Sequence, residues 1–286
     1  MMPIMRIKRI HLLPNIITAF ALACGLFVIF KMTMTEVGGA TFQTVAAVSA
    51  ILLLAALADL LDGAVARVMK AESEFGGIFD CMADAISFGV APSVIVLKTL
   101  SLPKESELSF FLMITAMVFS VCGVLRLVRF YLTTVHARGD QAQEDDNKKN
   151  FTGLPIPGAA AGVVSANLLL VSEEFRNLID LSDVARVWTL AGVLVVLGYL
   201  MVCRLKFPSF KTLHIKVASF RLVILTVVVA VIFSYGFLHY FAVVFFFFAW
   251  AYICVALILS TIRLISGRAS KTLEDFEPES EDDLDI

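Results

Sequence analysis

Long apolar runs separated by short polar segments occupy most of the chain between residues 12 and 262. A helix needs about 20 apolar residues to cross the hydrocarbon core of a bilayer. Eight runs reach or approach that length, at about 12–31, 41–66, 78–98, 108–132, 155–172, 185–203, 220–237 and 239–262. The pattern predicts an all-α, polytopic transmembrane helix bundle with about eight spans.

Polar segments set the expected boundaries of this membrane domain. Residues 1–11 are predicted to be a cytoplasmic N-terminus, and 137–150 a polar cytoplasmic loop within a transmembrane domain at 12–262. Residues 263–286 contain eight acidic residues between Glu274 and Asp285 and few apolar ones, which is typical of a disordered tail. A second soluble domain is not expected.

Composition and charge support the same interpretation. The chain is 59% hydrophobic and only 17% charged, and its mean hydropathy is +0.88. Eight spans with both termini in the cytoplasm leave few of the 23 Lys and Arg residues on the opposite side, namely Lys31, Lys98, Lys104, Arg176 and Arg186. The positive-inside rule therefore favours this topology. We expect an integral protein of the cytoplasmic (inner) membrane whose first span, apolar through Phe30, is retained.

Four aspartates stand out against this apolar background. Asp59 and Asp62 lie near the end of the second run, and Asp80 and Asp84 near the start of the third. Carboxylates at membrane depth are costly unless they are paired, hydrated or bound to a cation. Their spacings of three and four residues place each pair on one helix face. Because residues 68–77 form a short connection, the two helices should be antiparallel neighbours whose carboxylates meet.

A cluster made only of carboxylates is typical of Mg²⁺ or Mn²⁺ ligation, and not of zinc. The five cysteines are scattered and form no CxxC pair, which also argues against a zinc site. The alternative is a helix-end cluster that faces cytoplasmic water. That alternative explains one aspartate easily and four in this register poorly.

Small residues and one arginine accompany the acids. Gly63, Ala66, Gly76 and Gly77 allow a helix or a ligand to approach the backbone closely. Arg67 offers a forked donor that suits phosphate oxygens. Together these residue types indicate a site for a nucleotide diphosphate.

The spacing of these residues resembles the signature of the CDP-alcohol phosphatidyltransferase family, here Asp59-x-x-Asp62-Gly63-x-x-Ala66-Arg67, eight residues, then Gly76-x-x-x-Asp80-x-x-x-Asp84. The resemblance implies that the four aspartates bind two divalent ions, Mg²⁺ or Mn²⁺. It implies that Gly63, Ala66, Arg67 and Gly76 hold the CDP moiety, and that Asp84 also acts as the general base. It further implies a homodimer in contact with membrane lipids and no nucleic-acid partner.

Other blocks resemble the phosphatidylserine synthase branch of that family, at 13–15, 87–92, 126–130 and 151–157. This resemblance implies that the substrates are CDP-diacylglycerol and L-serine and that the products are phosphatidylserine and CMP. One departure is Tyr131, because that branch often has Asn at this position. The same chemistry with glycerol-3-phosphate or inositol phosphate as acceptor is the nearest alternative, and a divalent-cation transporter is a remote one.

Arg126 and Arg129 lie one helical turn apart on the fourth predicted span. Either could bind the serine carboxylate or the lipid phosphate, where a bidentate guanidinium fits. The alternative is that both extend towards lipid head groups at a helix end. For Ser87 and Pro92, helix packing or a kink explains the residue type at least as well as contact with the acceptor.

Overall fold

The structure is a computed structural model that describes residues 12–69, 73–100, 102, 106–136, 150–179, 181–203, 206–208 and 240–266. Nearly all of its regular structure is helical. The helices are α1 Leu12–Thr33, α2 Phe42–Val68, α3 Glu74–Asp84, a π-helical segment Ala85–Val90, α4 Ala91–Thr99, α5 Glu107–His136, α6 Ile156–Val171, α7 Glu173–Leu178, α8 Asp183–Val202 and α9 Phe241–Ser266. Two three-residue strands, β1 Asn150–Thr152 and β2 Lys206–Pro208, pair in antiparallel fashion.

Six helices in the described part of the chain are long and apolar enough to cross a membrane, at Leu13–Thr33, Phe42–Val68, Glu74–Thr99, Glu107–Thr133, Asp183–Val202 and Phe241–Thr261. The third of these joins α3, the π-helical segment and α4 into one continuous span. The predicted run at 155–172 forms α6, a shorter apolar helix of 16 residues. The prediction of an all-α, polytopic membrane bundle is confirmed.

The predicted seventh run, 220–237, lies outside the described residues, as do 1–11, most of the polar loop and the acidic tail from 267 onwards. The described segments that flank this run, β2 before it and α9 after it, lie at opposite ends of the bundle. β2 pairs with β1, just before α6 begins. Helix α9 packs antiparallel to α6, because Tyr252 lies beside Gly158 and Phe245 faces the same pocket as Val164. The count of eight spans stays a prediction.

Close helix contacts surround the middle of the third span. A Cβ atom added to Gly123 of α5 would lie 2.9 Å from the Cδ1 atom of Ile156 and 3.6 Å from the Cα atom of Gly89. The Ser120 hydroxyl donates a 2.8 Å hydrogen bond to the Gly89 carbonyl. Small residues and interhelical hydrogen bonds of this kind hold membrane helices together, since lipid supplies little hydrophobic driving force between them.

The third span changes its winding directly after Asp84. Pro92 has no N–H, and its ring would collide with the carbonyl four residues earlier in a regular α-helix. The backbone instead takes a wider turn in which the Ala91 N–H donates to the Ile86 carbonyl. Within this turn Ser87 is buried and its hydroxyl donates to the Ala21 carbonyl of α1 at 3.3 Å. The structure thus gives Ser87 a packing role and Pro92 a role in shaping the helix.

Candidate active site

The predicted meeting of the acidic residues occurs between α2 and α3. Carboxylate oxygens of Asp59, Asp62 and Asp80 all lie within 4.8 Å of one another. The Asp59 carboxyl group also contacts that of Asp84, so Asp84 joins the group through Asp59. We call Asp59, Asp62, Asp80 and Asp84 the acidic cluster, and the end of the bundle that contains it the acidic end.

A helix cap sets the register of the two later aspartates. Ser73 precedes α3 in an extended conformation, and its hydroxyl accepts a 3.0 Å hydrogen bond from the Gly76 N–H. Such a cap satisfies one of the free N–H groups of the first turn and fixes where the helix begins. Asp80 and Asp84 follow one and two turns later, where their carboxylates meet that of Asp59 on α2.

Helix α1 forms a third wall of the site, which the sequence pattern did not indicate. The buried Thr18 hydroxyl donates a hydrogen bond to the Oδ2 atom of Asp62, which is itself only 5% exposed. One turn earlier, the Oδ1 atom of Asn15 lies 3.2 Å from the position that a Cβ atom on Gly76 would occupy. The block Leu13-Pro14-Asn15 was the available signal. It drew attention to the start of α1 without showing that this helix reaches the acids.

The small residues of the signature play different structural roles. A Cβ atom on Gly63 or Gly77 would meet nothing within 4 Å, so the backbone there borders open space. At Gly76 the same atom would lie 3.0 Å from the Ser73 hydroxyl oxygen, so that glycine accommodates the cap and α1. Ala66 is half-buried and Arg67 is exposed, both in the last turns of α2. The open space beside Gly63 is where a ligand could approach the acids.

The two arginines of α5 lie in different environments. Arg126 is buried, with 8% of its surface exposed, and it interacts electrostatically with Asp84 and Asp59. Its guanidinium carbon lies 5.8 Å from the centre of the Phe130 ring, and its Nε atom has no hydrogen-bond partner in the part of the chain that the structure describes. Arg129 is half-buried one turn further along. Burial against the acidic cluster distinguishes Arg126 from a side chain that extends to lipid head groups.

The acidic cluster fits a divalent cation. Four carboxylates at this separation repel one another strongly in a low-dielectric setting unless positive charge is brought between them. Within the described residues, the Oδ1 atom of Asp80 is buried without a hydrogen-bond partner, which leaves it available as a ligand atom. Oxygen-only donors of this kind suit Mg²⁺ or Mn²⁺.

Comparison with known proteins agrees with this geometry. The sequence profile of CDP-alcohol phosphatidyltransferases matches residues 11–205, which include the whole signature and the arginines of α5. The chain belongs to this family. The family assignment predicted from the signature is therefore confirmed, the protein is a transferase, and the remote transporter alternative is set aside.

Several relatives share most of the chain. A Helicobacter pylori (strain J99) protein is 30% identical over 221 residues, which is 77% of this chain and 82% of that protein. A Bacillus subtilis protein is 28% identical over 199 residues, 70% of this chain and 91% of that protein. A Methanocaldococcus jannaschii protein is 31% identical over 160 residues, 56% of this chain and 63% of that protein. Each of the three is named CDP-diacylglycerol–serine O-phosphatidyltransferase.

Proposed function

We propose that this protein transfers the phosphatidyl group of CDP-diacylglycerol to the hydroxyl of L-serine, which yields phosphatidylserine and CMP. The observation that carries the choice of serine is the similarity to relatives of that name over as much as 77% of the chain. The buried Arg126 supports it, because a guanidinium beside the acids matches a substrate that carries a carboxylate.

The acidic cluster is proposed to hold two divalent ions, Mg²⁺ or Mn²⁺, with Asp59, Asp62, Asp80 and Asp84 as ligands. When bound, such ions neutralise the charge of the diphosphate and stabilise the oxygens that attack and leave. Gly63, Ala66, Arg67 and Gly76 are proposed to hold the CDP moiety. The open space beside Gly63 and the exposed Arg67 support this role, since both face away from the packed core at the acidic end.

The lipid tails require an apolar space next to the acids. Within the described residues, a pocket lies between α2, the π-helical segment, α6 and α9, with Leu52, Ala56, Phe88, Val164 and Phe245 among its lining residues. Ala56 precedes Asp59 by one helical turn, so this pocket begins one turn deeper in the bundle than the acidic cluster. The pocket itself is only about 20 Å³ in volume, so the acyl chains of a lipid with its diphosphate at the cluster are proposed to remain in the bilayer, beside this apolar gap between helices.

The proposed chemistry at the acceptor is a single in-line displacement. The serine hydroxyl oxygen attacks the phosphorus attached to diacylglycerol, and the bond from that phosphorus to the bridging oxygen of CMP breaks. Asp84 takes the proton of the hydroxyl, so the negative charge leaves with CMP. The half-buried position of Asp84 between Asp59 and Arg126 supports this role, because it places a carboxylate beside the basic group proposed to bind serine.

The protein is an integral membrane protein, and we propose the cytoplasmic (inner) membrane as its location, with the acidic end at the cytoplasmic face. The distribution of lysine and arginine along the chain supports this orientation. Assembly as a homodimer is also proposed, by family resemblance.

The test is CMP release by the purified full-length protein with CDP-diacylglycerol and one candidate alcohol at a time. Serine should release CMP faster than glycerol-3-phosphate or inositol phosphate does. Ethanolamine should be a very poor acceptor, because it lacks the carboxylate that is proposed to bind the buried guanidinium. EDTA should abolish release, and added Mg²⁺ or Mn²⁺ should restore it. Faster release with glycerol-3-phosphate would overturn the choice of serine, and full activity in EDTA would overturn the metal site.

A further inference from the structure

A single hydroxyl links the first helix to the acidic cluster. Thr18 is 4% exposed, and its Oγ1 atom lies near two acceptors, the Oδ2 atom of Asp62 and the Pro14 carbonyl at 3.1 Å. The hydroxyl has only one hydrogen to donate. Hydrogen bonds to an ionised acceptor are shorter and stronger than those to a neutral carbonyl. The carboxylate is therefore the favoured acceptor. The Pro14 carbonyl, four residues earlier, is the acceptor that a threonine within a helix ordinarily uses.

We infer that Thr18 is a positioning residue for the metal site, which fixes the orientation of the Asp62 carboxylate. This inference rests on the proposed function only in its assumption that the acidic cluster binds a divalent cation. The hydrogen bond engages the Oδ2 atom of Asp62 and so fixes the rotation of the carboxylate. The other oxygen, Oδ1, is thereby held in one orientation. Groups that orient a ligand in this way commonly determine metal affinity nearly as strongly as the ligands do.

Two features distinguish this contact from ordinary packing. The donor and the acceptor belong to different helices, so the bond fixes α1 relative to the end of α2. Both side chains are also buried, at 4% and 5% exposed, so water cannot readily replace the hydroxyl. Without it, a buried carboxylate would lose a charge-assisted hydrogen bond and gain rotational freedom.

The test is a titration of purified, detergent-solubilised full-length protein with Mn²⁺, with free Mn²⁺ followed by electron paramagnetic resonance and no lipid substrate present. Thr18→Val keeps the shape of the side chain and removes the donor, so Mn²⁺ affinity should fall about 10- to 100-fold. Thr18→Ser keeps the hydroxyl and should stay within about threefold of the wild type. In an Asp62→Asn background, Thr18→Val should have almost no further effect, since the partner charge is already absent.

Thr115→Val is the matched control. Thr115 is also a buried threonine within a span, at 3% exposed, but its hydroxyl donates to the Leu112 carbonyl of its own helix. Its substitution should leave Mn²⁺ affinity unchanged. Wild-type Mn²⁺ affinity in Thr18→Val, or a tenfold loss in Thr18→Ser, would overturn the role of Thr18. If the valine variant does not fold, the Mn²⁺ affinity of Thr18→Ser alone tests the role of Thr18. Absence of Mn²⁺ binding by the wild type would instead overturn the metal site itself.

Discussion

The third span carries polar residues at both of its ends, and the two ends use them differently. At the end opposite the acidic cluster, the Lys98 ammonium group donates to the Thr33 and Thr35 carbonyls at 3.4 and 3.1 Å, which caps the end of α1. There too, the Asn167 side chain donates a 3.1 Å hydrogen bond to the Thr99 hydroxyl. These polar groups stabilise helix ends and helix contacts within the fold.

At the acidic end, polar groups are gathered in a way that folding alone does not favour. Asp59, Asp80 and Asp84 bring like charges together, and the Oδ1 atom of Asp80 is buried without a partner among the described residues. Buried charge of one sign costs stability unless a counter-charge arrives. The comparison indicates that the acidic end is organised for a ligand and the opposite end for the fold. Substitutions at the two ends should therefore separate activity from stability.

The largest expected effect is that of Asp84→Asn. The substitution removes both the proposed proton acceptor and a proposed metal ligand, while the amide keeps nearly the same shape. The rate of CMP release should fall by at least the 10²–10⁴ that a general base contributes. Binding of CDP-diacylglycerol should fall less, because most of its contacts remain. Because one like charge is removed from the cluster, thermal stability in EDTA should be maintained or should rise.

A variant of Asp84 that retains more than about a tenth of the wild-type rate would contradict the base assignment. Asp183→Asn serves as the control for loss of an acid elsewhere. Asp183 lies in the first turn of α8, where its exposed carboxylate forms a 3.4 Å ion pair with the half-buried Arg186. Exposed pairs of this kind contribute little, so neither rate nor stability should change appreciably.

A smaller and more selective effect is expected for Arg126→Lys. Lysine keeps the charge but loses the planar fork that can hold a carboxylate through two hydrogen bonds. The KM for serine should rise about 10- to 100-fold, as expected for hydrogen bonds to a charged group worth about 1.5–3 kcal/mol. The Mn²⁺ dependence should stay unchanged. Steady-state CMP release at several serine concentrations measures both quantities.

Arg129→Lys is the matched control for this prediction, one turn away on the same helix. Its serine KM should stay near the wild-type value, since the structure places the buried Arg126 against Asp84 and Asp59, whereas Arg129 is half-buried one turn further along. A rise in KM confined to Arg129→Lys would move the carboxylate partner to that residue. Normal KM values in both variants would place the partner elsewhere in the site.

The sequence predicted the acidic cluster well because its assembly depends on short spacings along the chain. Spacings of three and four residues put Asp59, Asp62, Asp80 and Asp84 on facing helix surfaces, and the short connection between α2 and α3 brought those surfaces together. The contribution of α1 was not predictable in this way. Thr18 is one hydroxyl within an apolar run, and its meeting with Asp62 depends on how two helices dock.

Two features of the fold show the same limit. Hydropathy located the run at 155–172, but it could not show that Pro155 and Ser172 would bound a helix of only 16 residues. The strands β1 and β2 are three residues long, which is too short to show a recognisable periodicity. Each also pairs with a strand more than 50 residues away, which local pattern cannot indicate. Gly153, with a φ of 80° beside the Met201 carbonyl, fixes the turn between β1 and α6. Thr152 and Gly153 therefore serve the connection into α6.

The smallest expected effect lies at the opposite end, with Asn167→Leu. This change removes the interhelical hydrogen bond to Thr99, but it leaves no new orphan there, because the Thr99 hydroxyl still donates to the Ile95 carbonyl at 2.7 Å. It also removes the buried Asn167 Oδ1 atom, for which the described residues supply no hydrogen-bond partner, so part of the loss is offset. Interhelical hydrogen bonds in membranes contribute about 0.6–1.7 kcal/mol, so the midpoint of thermal unfolding in detergent should fall by only a few degrees.

Catalysis should be unaffected by Asn167→Leu, because this residue and the acidic cluster lie at opposite ends of the bundle. The rate of CMP release and the Mn²⁺ affinity should match those of the wild type at a temperature where both proteins are folded. Thr99→Val removes the same hydrogen bond from the other side but leaves the buried Asn167 amide N–H without its acceptor, so its stability loss should be larger than that of Asn167→Leu. A large loss of activity with unchanged stability in either variant would show that the two ends are coupled, and would break the division between a ligand-binding end and a structural one.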